Sequence, residues 1–367
     1  MSTASQIDDV TSPGNSRLQR LAPIFTLIVC APGIAEVLSG ATRLSYIFVL
    51  IPEMMVWGCG ALLIREIVRH WQGGWTSLFL LGLALSVAEE FVIQQTSLAP
   101  LPWVSSPAYG RIWGVNLIFF LFMLGYESVF VVLVPVQLTE LIFPHRRNQP
   151  WLKKFGLIIS SIVFVLGSFI AWFAWTQNAR PNVFHVPKYQ PPFLAILSGV
   201  LLIALLTLAA YALRNVGRPP RSHQSSGASR PQPKSPSPWI VGLIALVFGF
   251  PWYLLMSLIF GPRRDIPIWI PVVLGILWAT MVYFAIHRRA SSPNWNDMHR
   301  WALIFAATIV CMLAGFGGSS AWPRMDIVAK AVLNVLALAG FINLALKIRA
   351  RSRDHSLGTH GLANSEE

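Results

Sequence analysis

Long apolar runs separated by short polar or Pro-rich connections recur along the whole chain, and ten of them are long enough to cross a bilayer as a helix. They fall at 21–38, 45–67, 75–95, 112–143, 155–176, 193–213, 239–260, 267–287, 301–320 and 327–346. This pattern predicts an all-α fold, a polytopic transmembrane helical bundle. Pro23, Pro32 and Gly33 are expected to bend the first span, and Pro135 to kink the unusually long fourth one. Gly73 and Gly74 make the turn into the third span, and the connection 99–111 carries Trp103 and Tyr109 at interface height. The stretch 214–238, RNVGRPPRSHQSSGASRPQPKSPSP, is a basic Pro/Ser linker that cannot bury a core. It divides the chain into a six-span bundle, 21–213, and a four-span bundle, 239–346. Polar tails at 1–20 and 347–367 flank them, and the first is expected to be retained, since it lacks the pattern of a cleaved signal peptide.

Composition fixes the class. With 54% hydrophobic and 12% charged residues and a mean hydropathy of +0.58, no water-soluble surface can be assembled. The net charge of +13 would suggest a nucleic-acid partner in a soluble protein, but here the basic residues lie between apolar runs. Placing the N-terminus inside puts twenty of the 28 Lys and Arg on the cytoplasmic side and seven opposite, with Lys330 left in the last span. That bias predicts both termini in the cytoplasm. The expected partners are the lipid bilayer, anionic lipid headgroups at the basic loops, and a membrane peptide or small solute; nucleic acid is not among them. Cys30, Cys59 and Cys311 lie in apolar runs at no metal-type spacing, so packing is their expected role. No phosphate-binding Gly-Lys-Ser/Thr loop and no His-Glu-x-x-His helix occurs, and no cofactor or metal is expected. Gly315, Gly317 and Gly318 are read as sites of close helix packing.

Against this apolar background the acids stand out. The third span, WTSLFLLGLALSVAEEFVIQQ, carries Glu89 and Glu90 well inside it. Gly82, Ser86, Glu90 and Gln94 fall four apart, which puts them on one stripe of a regular helix. Depth at about 1.5 Å per residue brings Glu36, Glu53, Glu90 and Asn116 towards one outward-opening cavity, with Glu127 below Asn116 on the same face. The outer halves of the first four spans hold no Lys or Arg, so these carboxyls must keep a proton, bind a cation or hold water. The candidate site therefore comprises Glu89 and Glu90 as the acting acids, with Glu53, Gln94, Asn116 and Glu127 in support. A purely structural alternative makes each acid a hydrogen-bonded residue that fixes helix packing. Glu140, near the inner surface, is expected to pair with Arg65, Arg69 or Arg146.

The segment AEEFVIQQ resembles the first motif of the CAAX-protease and bacteriocin-processing (CPBP) intramembrane protease superfamily, two glutamates followed by three residues and arginine. The resemblance implies that Glu89 or Glu90 polarises water for peptide hydrolysis. Gln94 stands at the arginine position, and none of the eight histidines lies in the middle of a span. The run PEMMVWGCGALLIREIVRHWQGGW resembles bacterial membrane proteins of unassigned activity, which implies a bacterial inner-membrane location. Three functions follow as expectations: a CPBP-like peptidase, a proton- or cation-coupled transporter, and a non-catalytic binding or scaffold protein.

Overall fold

The computed structural model describes residues 17–102, 109–217, 235–261, 265–318 and 322–363, with side chains described from residue 19 to residue 353. Ten helices among the described residues are long and apolar enough to span a membrane. They are α1 (Gln19–Leu38), α2 (Leu44–His70), α3 (Trp75–Ile93), α4 (Leu117–Ile142), α5 (Lys154–Val183), α6 (Phe193–Ala212), α7 (Pro238–Phe260), α8 (Trp269–Ala290), α9 (Asp297–Ala314) and α10 (Arg324–Arg353). An even number of crossings returns the chain to the side on which it began.

Burial sorts these helices into a centre and a rim. In α3, 72% of the most apolar window is buried inside the protein, whereas α5, α6 and α7 bury 11% of theirs and α8 only 6%. The rim helices turn Leu, Val, Ile and Phe outward, as apolar surface in contact with lipid requires. The central pair is α3 and α4, with α1 and α9 also packed against α4. A Cβ on Gly82 would come within 3.1 Å of the Ser128 Cα, and one on Gly58 within 3.0 Å of the Ile28 Cα. These two glycines set the approach of α3 to α4 and of α2 to α1. Leu27, Leu62, Ile118, Trp301 and Phe341 belong to one buried cluster, so spans on both sides of the 214–238 stretch share a hydrophobic core.

Each of the first five spans contains a wide turn of π geometry, at Gly33–Leu38, Met54–Gly58, Glu89–Ile93, Ser128–Leu133 and Phe173–Val183. Proline accounts for four of them. Pro32 and Pro52 lie just before the first two, Pro135 just after the fourth, and Pro181 within the fifth. A ring nitrogen that cannot donate leaves a carbonyl free and disturbs the regular register. The turn at Glu89 has no proline beside it.

Several boundaries differ from the periodicity reading. The fourth apolar run does not become helical until Leu117, because Arg111–Ile112 (β1) and Val115–Asn116 (β2) pair as a short antiparallel hairpin. Its tip, Trp113 and Gly114, has positive φ (50° and 83°). Beyond Pro135, α4 continues to Ile142 as regular helix. The helix of the fifth span runs on to Val183 through the expected loop, and that of the tenth continues to Ala363 through the expected tail. Residues 1–16 of the N-terminal tail, Trp103, and residues 218–234 of the linker lie outside the described residues.

Candidate functional site

Five glutamates converge where the wide turns of α1 to α4 meet. Glu36 lies inside the turn of α1, Glu53 immediately before that of α2, Glu89 and Glu90 open that of α3, and Glu127 immediately precedes that of α4. A π turn re-aims the side chains at its edge, so these four departures from regular helix serve one place. Glu53, Glu89, Glu90 and Glu127 are 5% exposed or less, and Glu36 is half-buried. The carboxyls are electrostatic neighbours: Glu36 of Glu53 and Glu89, Glu89 of Glu90, and Glu127 of Glu36, Glu89 and Glu90.

Hydrogen bonding divides the acids sharply. One oxygen of Glu90, Oε2, accepts from the hydroxyls of Thr96 at 2.8 Å and Ser97 at 2.6 Å. Two donors on one oxygen suit a carboxylate that carries charge. Glu89, 1% exposed, has no hydrogen-bond partner on either oxygen among the described residues. Among the described residues Glu53 Oε2 also lacks a partner, while Ser86 lies against the Glu127 carboxyl. Thr42 Oγ1 lies 2.5 Å from Glu53 Oε1 and 3.3 Å from Glu36 Oε2 and so bridges α1 and α2.

Among the described residues, no ion pair reaches any of the five. A buried cation does stand nearby, contributed by α10 rather than by the first four spans. Lys330 Nζ is bound to the carbonyls of Leu38 (2.7 Å) and Met312 (2.9 Å) and lies 4.1 Å from the centre of the Phe316 ring. Its position closes the ends of α1 and α9. The Tyr126 hydroxyl donates to the Ala35 carbonyl and lies 3.9 Å from Cys311 Sγ, which ties α4 to α1 and α9.

Two residues expected in the site are elsewhere. Asn116 precedes α4 and caps it, with Oδ1 accepting from Phe119 N at 3.1 Å. Its own N–H donates to the Ser97 carbonyl at 2.9 Å, so it positions a donor to Glu90. Gln94 leaves the Gly82, Ser86, Glu90 stripe because its N–H reaches back five residues to the Glu89 carbonyl, and a wide turn breaks the four-residue spacing. Thr42, Thr96 and Ser97 were not singled out from the sequence. They lie on connections between spans, where small hydroxyl residues carry no periodic signal. Arg111 holds the hairpin above Glu90 by donating to the carbonyls of Leu98, Ala99 and Gly114. Partial burial lowers this guanidinium below its ordinary value, and the proximity of Tyr189 offsets part of the shift.

The opposite end of the bundle is tied by ion pairs. Glu140 Oε1 accepts from Arg69 at 2.5 Å and from Arg65 at 3.3 Å, as its sequence position suggested. Arg65, with no exposed surface, also binds Glu66 and three carbonyls of the segment 146–149 and stacks 3.4 Å over Trp151. Gly315 is a packing site, since a Cβ there would collide with the Ser39 carbonyl.

Ten apolar helices around buried acids define a polytopic helical membrane protein. Residues 25–352 match the model of a family described as an uncharacterized membrane protein family, and the chain belongs to it. No curated protein and no solved structure matches it.

Proposed function

We propose that the protein is a proton-coupled membrane carrier in which Glu89 holds the exchangeable proton and Glu90 the compensating charge. One observation carries this reading: a fully buried carboxyl with no hydrogen-bond partner among the described residues sits beside a second one gripped by two hydroxyls. Two adjacent carboxyls in low dielectric share protons, and the partner with donors keeps the charge. Protons suit the cluster better than a metal ion. Among the described residues no three His, Cys, Asp or Glu side chains lie close enough together to hold a metal ion. Wide turns in the spans that carry the acids add the local weakness that a moving site needs. The bacterial inner membrane, with both termini cytoplasmic, is the location that accords with the distribution of basic residues.

The test is solute flux in proteoliposomes under an imposed pH gradient. Gradient-dependent flux, lost in Glu89→Gln at unchanged protein abundance, is the expected result. Absence of gradient-dependent flux across a broad solute panel, or flux that survives Glu89→Gln, overturns the reading. The Glu89-Glu90 pair favours a second reading, CPBP-like hydrolysis of a membrane-embedded peptide with Glu90 polarising water. No histidine is hydrogen-bonded to either acid among the described residues, which leaves the hydrolase without a proton shuttle. Cleavage abolished by Glu90→Gln would restore it.

A further inference from the structure

We infer that protons reach the acid cluster from the α1–α2 end of the bundle, through the Thr42 hydroxyl, along a groove between the starts of α2 and α10. This deepens the proton-coupled reading above and rests on it. The groove, about 310 Å³, is lined by Leu44, Ser45, Met325, Asp326, Val328 and Ala329. A smaller space of about 10 Å³ adjoins it, with Leu44 and Asp326 forming walls of both, and Thr42 lines this inner space. Its size is that of about one water molecule. The two spaces, separated by the shared walls Leu44 and Asp326, line up from the protein surface towards a hydroxyl already in contact with two of the acids.

The chemistry at Thr42 makes it a relay. A hydroxyl has one proton to donate, yet Oγ1 lies within hydrogen-bond distance of both Glu53 Oε1 and Glu36 Oε2. Both contacts are hydrogen bonds only when one carboxyl is protonated and donates to Oγ1 while Oγ1 donates to the other. Either carboxyl can fill the donor's place, and inward transfer uses Glu53 as donor and Glu36 as acceptor. A proton moving from Glu53 to Oγ1, with the hydroxyl proton passing to Glu36, leaves the threonine unchanged and delivers the proton to α1. Glu36 is in turn an electrostatic neighbour of Glu89 and Glu127. The other ionisable groups around the route are engaged. Asp326 accepts from Ser45 N and Oγ, Lys330 is held by two carbonyls, and Arg43 lies over the rings of Tyr46 and Trp322. At the far end, Arg65, Arg69, Glu66, Glu140 and Trp151 interlock and seal the bundle.

Hydrogen-deuterium exchange of the protonated-carboxyl C=O band, followed by infrared difference spectroscopy on the full chain in lipid bilayers, tests this. Thr42→Val is expected to slow exchange at least about tenfold, the rate equivalent of one lost relay hydrogen bond. Thr42→Ser should exchange like the wild type. Leu44→Cys gives an independent arm: the unmodified variant exchanges normally, and coupling a bulky methanethiosulfonate to it slows exchange. Arg147→Gln, at the sealed end, leaves the rate unchanged. If Thr42→Val and labelled Leu44→Cys exchange at the wild-type rate while Glu89→Gln removes part of the band, the route is wrong and the site stands. If Glu89→Gln leaves the band intact, the proton-coupled reading itself fails.

Discussion

Removal of the Arg65 side chain tests whether the end of the bundle opposite the acids is its structural lock. The guanidinium has no exposed surface and makes charged hydrogen bonds to Glu66 at 2.6 Å and Glu140 at 3.3 Å. It also binds the carbonyls of Gln149 (2.9 Å), Arg147 (3.0 Å) and Arg146 (3.2 Å) and covers Trp151. Arg65→Ala leaves Glu66 without its cation and removes a donor from the carbonyls of Arg147 and Gln149, while that of Arg146 keeps Trp151 Nε1. Breaking a buried pair from one side costs about 3–5 kcal/mol, which lowers the folded-to-unfolded ratio by roughly 10² to 10⁴. Arg147, paired with Asp297 at 2.6 Å where both side chains are about a quarter exposed, supplies the contrast. Arg147→Ala should cost less than about 1 kcal/mol, since solvent screens such a pair. Unfolding in mixed micelles titrated with denaturing detergent, followed by tryptophan fluorescence, measures both. In a double-mutant cycle, Arg65→Ala and Glu140→Ala together should cost less than the sum of the single changes. An Arg65→Ala protein within about 1 kcal/mol of the wild type would refute the lock, as would equal losses at Arg65 and Arg147.

Two further outcomes follow from the geometry. Gly58→Ala places a Cβ against the Ile28 backbone, which cannot move aside as a side chain would, so α1 and α2 separate and stability falls by about 1–3 kcal/mol in the same titration; no loss would contradict the close approach. Ser97→Ala removes one of the two donors to Glu90, a charged hydrogen bond worth about 1.5–3 kcal/mol, and should lower pH-gradient-driven flux roughly tenfold or more; unchanged flux would mean that Glu90 does not hold the charge.

The ten spans were legible because an apolar run of bilayer length has few alternatives, and the acids were legible because a charge within such a run is costly. Their convergence was not. Regular helical spacing placed Gln94 with Glu90, whereas the structure inserts a wide turn at Glu89 that no periodicity reveals. The prolines at 32, 52, 135 and 181 mark where four of the wide turns fall, but they read equally well as simple bends. Asn116 was placed inside the fourth span because Ile112 and Val115 extend the apolar run that follows; the Trp113-Gly114 turn, with positive φ at both residues, makes it a cap. Thr42, Thr96 and Ser97 act through loop geometry, which spacing along a helix cannot report. Lys330 was visible as an oddity in the last span, and only the fold brings it to the carbonyls at the ends of α1 and α9.

The measurement that bears most directly on the central claim is modification by dicyclohexylcarbodiimide, which attacks protonated carboxyl groups in apolar surroundings, mapped by peptide mass spectrometry on the protein in lipid. Glu89 should be labelled at neutral pH, while Glu90, held by Thr96 and Ser97, and Glu66 and Glu140, held by Arg65 and Arg69, should be spared. An unlabelled Glu89, or labelling there no greater than at Glu66 and Glu140, would contradict the account.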